Sequence, residues 1–229
     1  MTMLSTELAN ETSQLHIRNA AALALKNALS ARVRKRVVSL PSGVFTSFIQ
    51  EATRQTEFAN RWLAFDAVAK NKIKQETLVT LASPVAKAGS FAAQVVAAIA
   101  TVELPHDQWP DLIELLLGFV NNSTNTNLRI ATLQTIGYIC ESIVRRLIDV
   151  CLITSLFLQK PEILSLRSNE ILTAVIHGAR KDEPSSDVQL AAVHALYNSL
   201  EFVRDNFDRE VCHVKFVALA PLKRSTGRA

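Results

Sequence analysis

Histidine, cysteine and carboxylate are the side chains here with the most chemistry to offer, and their spacing withholds it. The five histidines, His16, His106, His177, His194 and His213, are scattered along 229 residues. None forms an HExxH or stands at zinc spacing from a cysteine, the patterns that bring ligands to one metal ion. The three cysteines, Cys140, Cys151 and Cys212, make no CxxC pair, so they suit a reducing compartment and no disulfide framework. Cys140 falls on an apolar helix face and reads as a small buried hydrophobe, not a nucleophile. His194 reads as a seam residue of one helix and His177 as the end of another. Glu103, Asp107 and Asp111 flank a helix start, where negative charge complements the helix dipole; capping accounts for them. There is no glycine-rich phosphate loop and no GxSxG. The expectation is a protein without catalysis, cofactor or metal, working through surfaces.

Those surfaces must be helical. Only six Gly and seven Pro occur, the hydrophobic share is 48%, and long Ala/Leu/Val-rich stretches recur, which favours helix over strand. The formal charge of +4 is spread along the chain, with no basic stripe of the kind nucleic acid requires. The most apolar window, Leu147 to Leu158, falls short of the roughly 20 residues that span a bilayer. The first thirty residues lack a signal-peptide pattern. A soluble intracellular protein is expected, with neither nucleic acid nor membrane as partner.

A repeat is visible. Ile17 to Leu25, Leu128 to Ile136 and Val188 to Leu196 share one pattern: an aliphatic residue, a polar residue, then small and aliphatic residues at helical spacing. Phe91 to Val102 is a looser fourth. Small residues let helices approach closely while aliphatics fill the seam, as in the inner helix of a HEAT repeat of about 40–47 residues. Outer helices are expected at Glu57–Leu81, Trp109–Val120 and Asn169–Ala179, with Pro110 at an early helix position and Ser186 or Asp187 capping the last inner helix. Turns are expected at Ser83-Pro84, Leu104-Pro105, Asn121–Ser123 and Glu183–Asp187. The predicted fold is all-α, an α-solenoid of about four HEAT-type helix pairs. The first is incomplete, because Met1 falls inside it and its outer helix is expected to be missing.

Short strings then carry a resemblance. Arg18 to Asn27 ends in Leu25-Lys26-Asn27. Arg61-Trp62-Leu63, Glu103-Leu104-Pro105, Gln108-Trp109-Pro110, Gly137-Tyr138-Ile139-Cys140-Glu141 and Ser168-Asn169-Glu170-Ile171-Leu172 follow in order. Together they resemble the N-terminal repeats of the importin-β family of nuclear import receptors, across most of 1–32, 51–143 and 160–210. The resemblance implies cargo or importin-α adaptor on the concave face of later repeats and FG nucleoporins outside. It implies the GTP form of the Ran GTPase on the first inner helices, with Lys26, Asn27 and Arg32 as contacts. It also implies residence in cytoplasm and nucleus and at the nuclear envelope and pore. The alternative is a HEAT scaffold for a cytosolic complex, which would show a more uniform period and lack these strings.

The resemblance divides the chain into a partial first repeat (1–32), an insert (33–50), repeats (51–143), a second insert (144–159), a further repeat (160–210) and a divergent tail (211–229). Leu128 and Val188 lie 60 positions apart; leaving out 144–159 brings the spacing near that of a HEAT repeat. Both inserts begin Val-Arg and end in Gln, which codons can spell as splice donor and acceptor, and Val211-Cys212 can again spell a donor. The expectation is that both inserts are introns read through in frame. Sequencing of cDNA should therefore join Arg32 to Glu51 and Ile143 to Lys160; message that retains both segments on polysomes would refute this.

Overall fold

The computed structural model describes residues 1–29, 56–154 and 168–206, with side chains at 1–29, 56–142 and 169–200. The insert 33–50, residues 155–159 and the tail from 211 lie outside them, as do Arg32, Cys212 and His213. Nine helices account for the described residues: α1 (Thr2–Ala9), α2 (Leu15–Leu29), α3 (56–63), α4 (Ala67–Thr80), α5 (Ala86–Glu103), α6 (Leu112–Asn122), α7 (Thr126–Thr154), α8 (Ser168–Gly178) and α9 (Ser186–Asn206). A single 3-10 turn, Leu104–His106, closes α5. The described residues contain no strand.

The helices pair as α1/α2, α4/α5, α6/α7 and α8/α9. The second member of each pair joins an inner row in which α2 packs on α5, α5 on α7 and α7 on α9, while outside α1 packs on α4 and α6 on α8. This is the expected α-solenoid of four pairs. The first pair does have an outer helix, the eight-residue α1, whose Ser5 and Thr6 hydroxyls donate to Glu76 of α4.

Four expectations shift. The outer helix expected over Glu57–Leu81 is two helices, because the chain turns at Ala64–Asp66 and the Asp66 carboxylate accepts from the Ala69 amide, capping α4. Pro110 lies in the turn before α6, which starts at Leu112. Ser185, one residue earlier than expected, caps α9 by accepting from the Val188 amide. The first eleven residues of the second insert, 144–154, continue α7 as helix and so do not part from the repeat before them. The stretch Ala86–His106 is also apolar enough by length and composition to cross a membrane, but 72% of that window is buried in the fold. α5 is the central helix of the core, and its composition reflects neighbours on several sides.

One register runs through the inner row. Arg18, Gly89, Arg129 and Gln189 occupy equivalent places, each at the carbonyls that end the preceding outer helix. Arg18 Nε donates to the Leu8 carbonyl (2.8 Å), Arg129 Nε to that of Val120 (3.3 Å) and Gln189 Nε2 to that of Arg180 (2.7 Å). A Cβ on Gly89 would stand 3.1 Å from the Leu81 carbonyl oxygen. The last turn of a helix leaves carbonyls without partners, and these side chains satisfy them. The two arginines also grip loop carboxylates with both terminal nitrogens. Arg18 holds Glu11, at 2.7 and 3.0 Å, and Arg129 holds Glu183, at 2.9 and 2.6 Å, in the loop of the next pair.

Hydrogen bonds from the Arg129 guanidinium hold the Glu183 carboxyl below its ordinary value of 4.5 against the opposing effect of burial. For Glu11, burial acts upward, and bonds from Arg18 and Ser83 outweigh it. A carboxyl whose folded value is depressed adds stability above its ordinary value and loses it as pH falls through the folded one. The paired form should thus weaken from about pH 4.5 downward. Glu183→Gln should cost about 1.5–3 kcal/mol at neutral pH and flatten the acid limb of the stability curve, as read by denaturant unfolding across pH. An unchanged acid limb would show that this pair does not set it.

Candidate partner-binding face

The inner row presents one open face, and the register says which residues reach it. The fifth residue after each aligned position is Leu23, Gln94, Gln134 and His194, each exposed or half-buried. Asn27 on α2 and Tyr138 on α7 extend the same stripe by one turn. Between α5, α7 and α9 the stripe opens into a groove of about 500 Å³ whose polar lining includes Lys87, Ser90, Gln134, Tyr138, Asp187 and His194. Its floor is made of small residues, Gly137, Ala191 and Ala195 among them. His194 is thus an exposed groove residue instead of the seam residue expected: the seam falls on Ala191 and Ala195, one turn apart and buried.

The electrostatics favour donation and acceptance over catalysis. Burial raises the Tyr138 phenol, and the nearby Glu141 carboxylate adds to the effect, so its O–H stays a donor near neutral pH. Gln134 Oε1 is buried with no donor among the described residues, and an unsatisfied buried acceptor costs about 1–3 kcal/mol. Cys140 is 1% exposed and burial pushes its thiol up to about 12, so it is a thiol packed as a small hydrophobe. No group of three metal-ligating side chains gathers among the described residues.

Of the three expected contact residues, two are described. Lys26 is half-buried between α2 and α5, and its Nζ donates to Gln94 Oε1 at 2.9 Å. It bridges the seam at the edge of the open face instead of standing in solvent. Asn27 is half-buried beside it. Residues Gln94, Gln134, Tyr138 and His194 were not among the contact residues expected from the sequence. Their signal was a fixed offset from Arg18, Gly89, Arg129 and Gln189, visible only once the four helices share a register.

Three of the short strings that carry the family resemblance lie elsewhere and do structural work. Trp62 of α3 is 2% exposed, and its Nε1 donates to Glu103 Oε1 at 3.0 Å at the buried end of α5. The other carboxylate oxygen pairs with Lys74 of α4. The Lys74 ammonium sits 4.7 Å from the Trp109 ring centroid, a favourable cation–π placement. Trp62 stacks on Phe65 with centroids 6.0 Å apart. The strings Arg61-Trp62-Leu63, Glu103-Leu104-Pro105 and Gln108-Trp109-Pro110 therefore meet in one polar knot inside the solenoid. Glu103, expected to flank a helix start and complement its dipole, is instead the last residue of α5 and fully buried.

No protein-family model matches the chain. Importin subunit beta-1 of Schizosaccharomyces pombe is 44% identical over 210 residues, 92% of this chain and 20% of that protein. Importin subunit beta-1 of Arabidopsis thaliana is 35% identical over 209 residues, 91% of this chain and 20% of that protein. A crystal structure of importin beta superposes with TM-score 0.71 at 41% identity, over 91% of this chain and 20% of the other. Kap95p, whose binding induces the switch loops of RanGDP to adopt the GTP-bound conformation, gives TM-score 0.70 at 32% identity, over 91% and 20%. The Kap95:Nup1 complex gives 0.70 at 32%, over 91% and 21%. The chain thus spans about one-fifth of the length of these relatives.

The knot makes a prediction of its own. Removing one partner of a buried ion pair leaves the other uncompensated, at roughly 3–5 kcal/mol. Glu103→Ala should lower unfolding stability by that order, and the change should strip the Trp62 indole of its acceptor and shift its fluorescence. A variant as stable as the parent would mean that the knot is replaceable.

Proposed function

Because the chain is a homologue of importin subunit beta-1, matched over nine-tenths of its length, we propose that it is a segment of a nuclear import receptor and offers part of the surface that such a receptor presents to Ran in its GTP form. The observation that carries the reading is the open stripe along the inner row. It crosses four helices, mixes amide, hydroxyl and imidazole groups, and lacks the converging nucleophile and base of an active site. Kap95p, a structural neighbour, acts on the switch loops of RanGDP. Lys26 and Asn27 lie on α2 at the edge of the stripe, and Arg32 is assigned with them by resemblance alone. Importin-α adaptor, cargo and FG nucleoporins belong to the longer parent, whose work would be in cytoplasm and nucleus and at the pore. A scaffold subunit is the competing reading; it would bind Ran in neither nucleotide state.

An interface made of many modest contacts loses affinity when most of the solenoid is absent, so retention by this chain should be weak and dependent on salt. In a pull-down at low ionic strength the chain should retain Ran loaded with GTP more than Ran loaded with GDP. Lys26→Glu should reduce that retention by more than any accompanying fall in melting temperature accounts for, with retention compared at a temperature where parent and variant are both folded. Equal retention of the two nucleotide forms, or none by the chain and by a longer parent alike, would favour the scaffold.

A further inference from the structure

The four pairs are not joined alike on the outer side. α1 packs on α4 and α6 on α8, but α4 does not pack on α6 in this way among the described residues. The gap lies inside the chain: residues 56–142, which carry α4, α6 and the turns around both, are described with their side chains. On the inner side the same two pairs meet closely. α5 packs along α7, and a Cβ on Gly89 would stand 3.3 Å from the Ala131 Cβ.

The polar ties differ at the same seam. Between the first two pairs, Ser5 and Thr6 donate to Glu76, and Ser83 donates to Glu11 at 3.2 Å. Between the last two, Arg129 grips Glu183 with two nitrogens. Between the second and third, the aligned residue is Gly89, which has no side chain to reach across, and the facing turn Asn121–Asn125 holds no carboxylate to be gripped. The ties present there gather at the two ends of the gap. At one end, Asn127 Nδ2 donates to the Ser83 and Pro84 carbonyls at 3.2 and 3.1 Å, and Asn125 Nδ2 to that of Ala82 at 3.4 Å. At the other, the Lys74 ammonium of α4 lies 4.7 Å from the centroid of the Trp109 ring, shortly before α6.

We propose that the gap between α4 and α6 is a hinge of the solenoid, with the α5/α7 seam as its pivot and Asn127 as the restraint on opening. Bodies move relative to one another where few contacts must be broken, and a close inner seam lets them turn without separating. Opening swings α2, α4 and α5 together against α6, α7 and α9. The open stripe crosses the pivot between Gln94 and Gln134, so a partner that touches both selects one degree of bending from those the hinge allows.

Pulsed electron paramagnetic resonance on the full 229-residue chain tests this without any partner. Nitroxide labels go on exposed outer positions in a Cys151→Ser, Cys212→Ser background, with Cys140 left buried. Lys72→Cys with Glu114→Cys spans the gap. Met3→Cys with Lys72→Cys, and Glu114→Cys with Asn169→Cys, span the two packed outer seams. The distance distribution across the gap should be wider than either of the others. Asn127→Ala should widen it further and leave the other two as they were. Equal widths at all three seams would overturn the hinge. So would widening by Asn127→Ala at all three alike, which would mean a loosened fold, and a gap that Asn127→Ala leaves untouched would remove that residue as the restraint.

Discussion

Everything in this solenoid depends on how closely neighbouring inner helices can approach. Gly137 of α7 meets the backbone of α9 at Ala195, and Gly89 of α5 meets Ala131 of α7 at 3.3 Å from an added Cβ. No single helix pair has enough apolar surface to close on itself, so each buries its face against the next. Small residues on one side of an inner helix and larger ones on the other let the same contact be made twice, once forward and once back. α5 shows the result most fully: twelve of its eighteen residues are buried.

Close packing sets position but leaves the helix ends and loops unsatisfied, and a few polar side chains complete them. Arg18 and Arg129 do the same work two pairs apart, taking carbonyls from an outer helix with one nitrogen and a loop carboxylate with the other two. Asn127 adds a tie from α7 to the Ser83 and Pro84 carbonyls of the preceding pair. Glu103 does the equivalent in the interior, joining α3 and α4 to the end of α5. The polar groups with a structural task thus sit at helix ends and in the interior, apart from the open face of the inner row.

The helices were legible because their apolar spacing is strong, and so was the number of pairs. The break at Ala64–Asp66 was not, since apolar residues continue through it at helical spacing and only Asp66 marks a cap. The aligned arginines were visible as the polar residue in a recurring pattern, but the partner of Arg129 is 54 residues away, a distance no periodicity bridges. Tryptophan and glutamate in Arg61-Trp62-Leu63 and Glu103-Leu104-Pro105 announced kinship without revealing that they touch. The open-face residues were hardest of all. Half-exposed Gln94, Gln134 and Tyr138 obey no burial rule, so only a structure that fixes which side is open can select them.

The uneven burial along the row also sets a gradient of local opening. Amides on α5, walled by α2, α4 and α7, would exchange with solvent only through events approaching global unfolding, whereas α1 and α9, each lacking one neighbour among the described residues, would open far more often. Ligand contacts made near α2 or α9 would then damp fluctuations that the centre does not have. Part of what any partner of the open stripe gains or loses on binding would be the conformational entropy of these end helices.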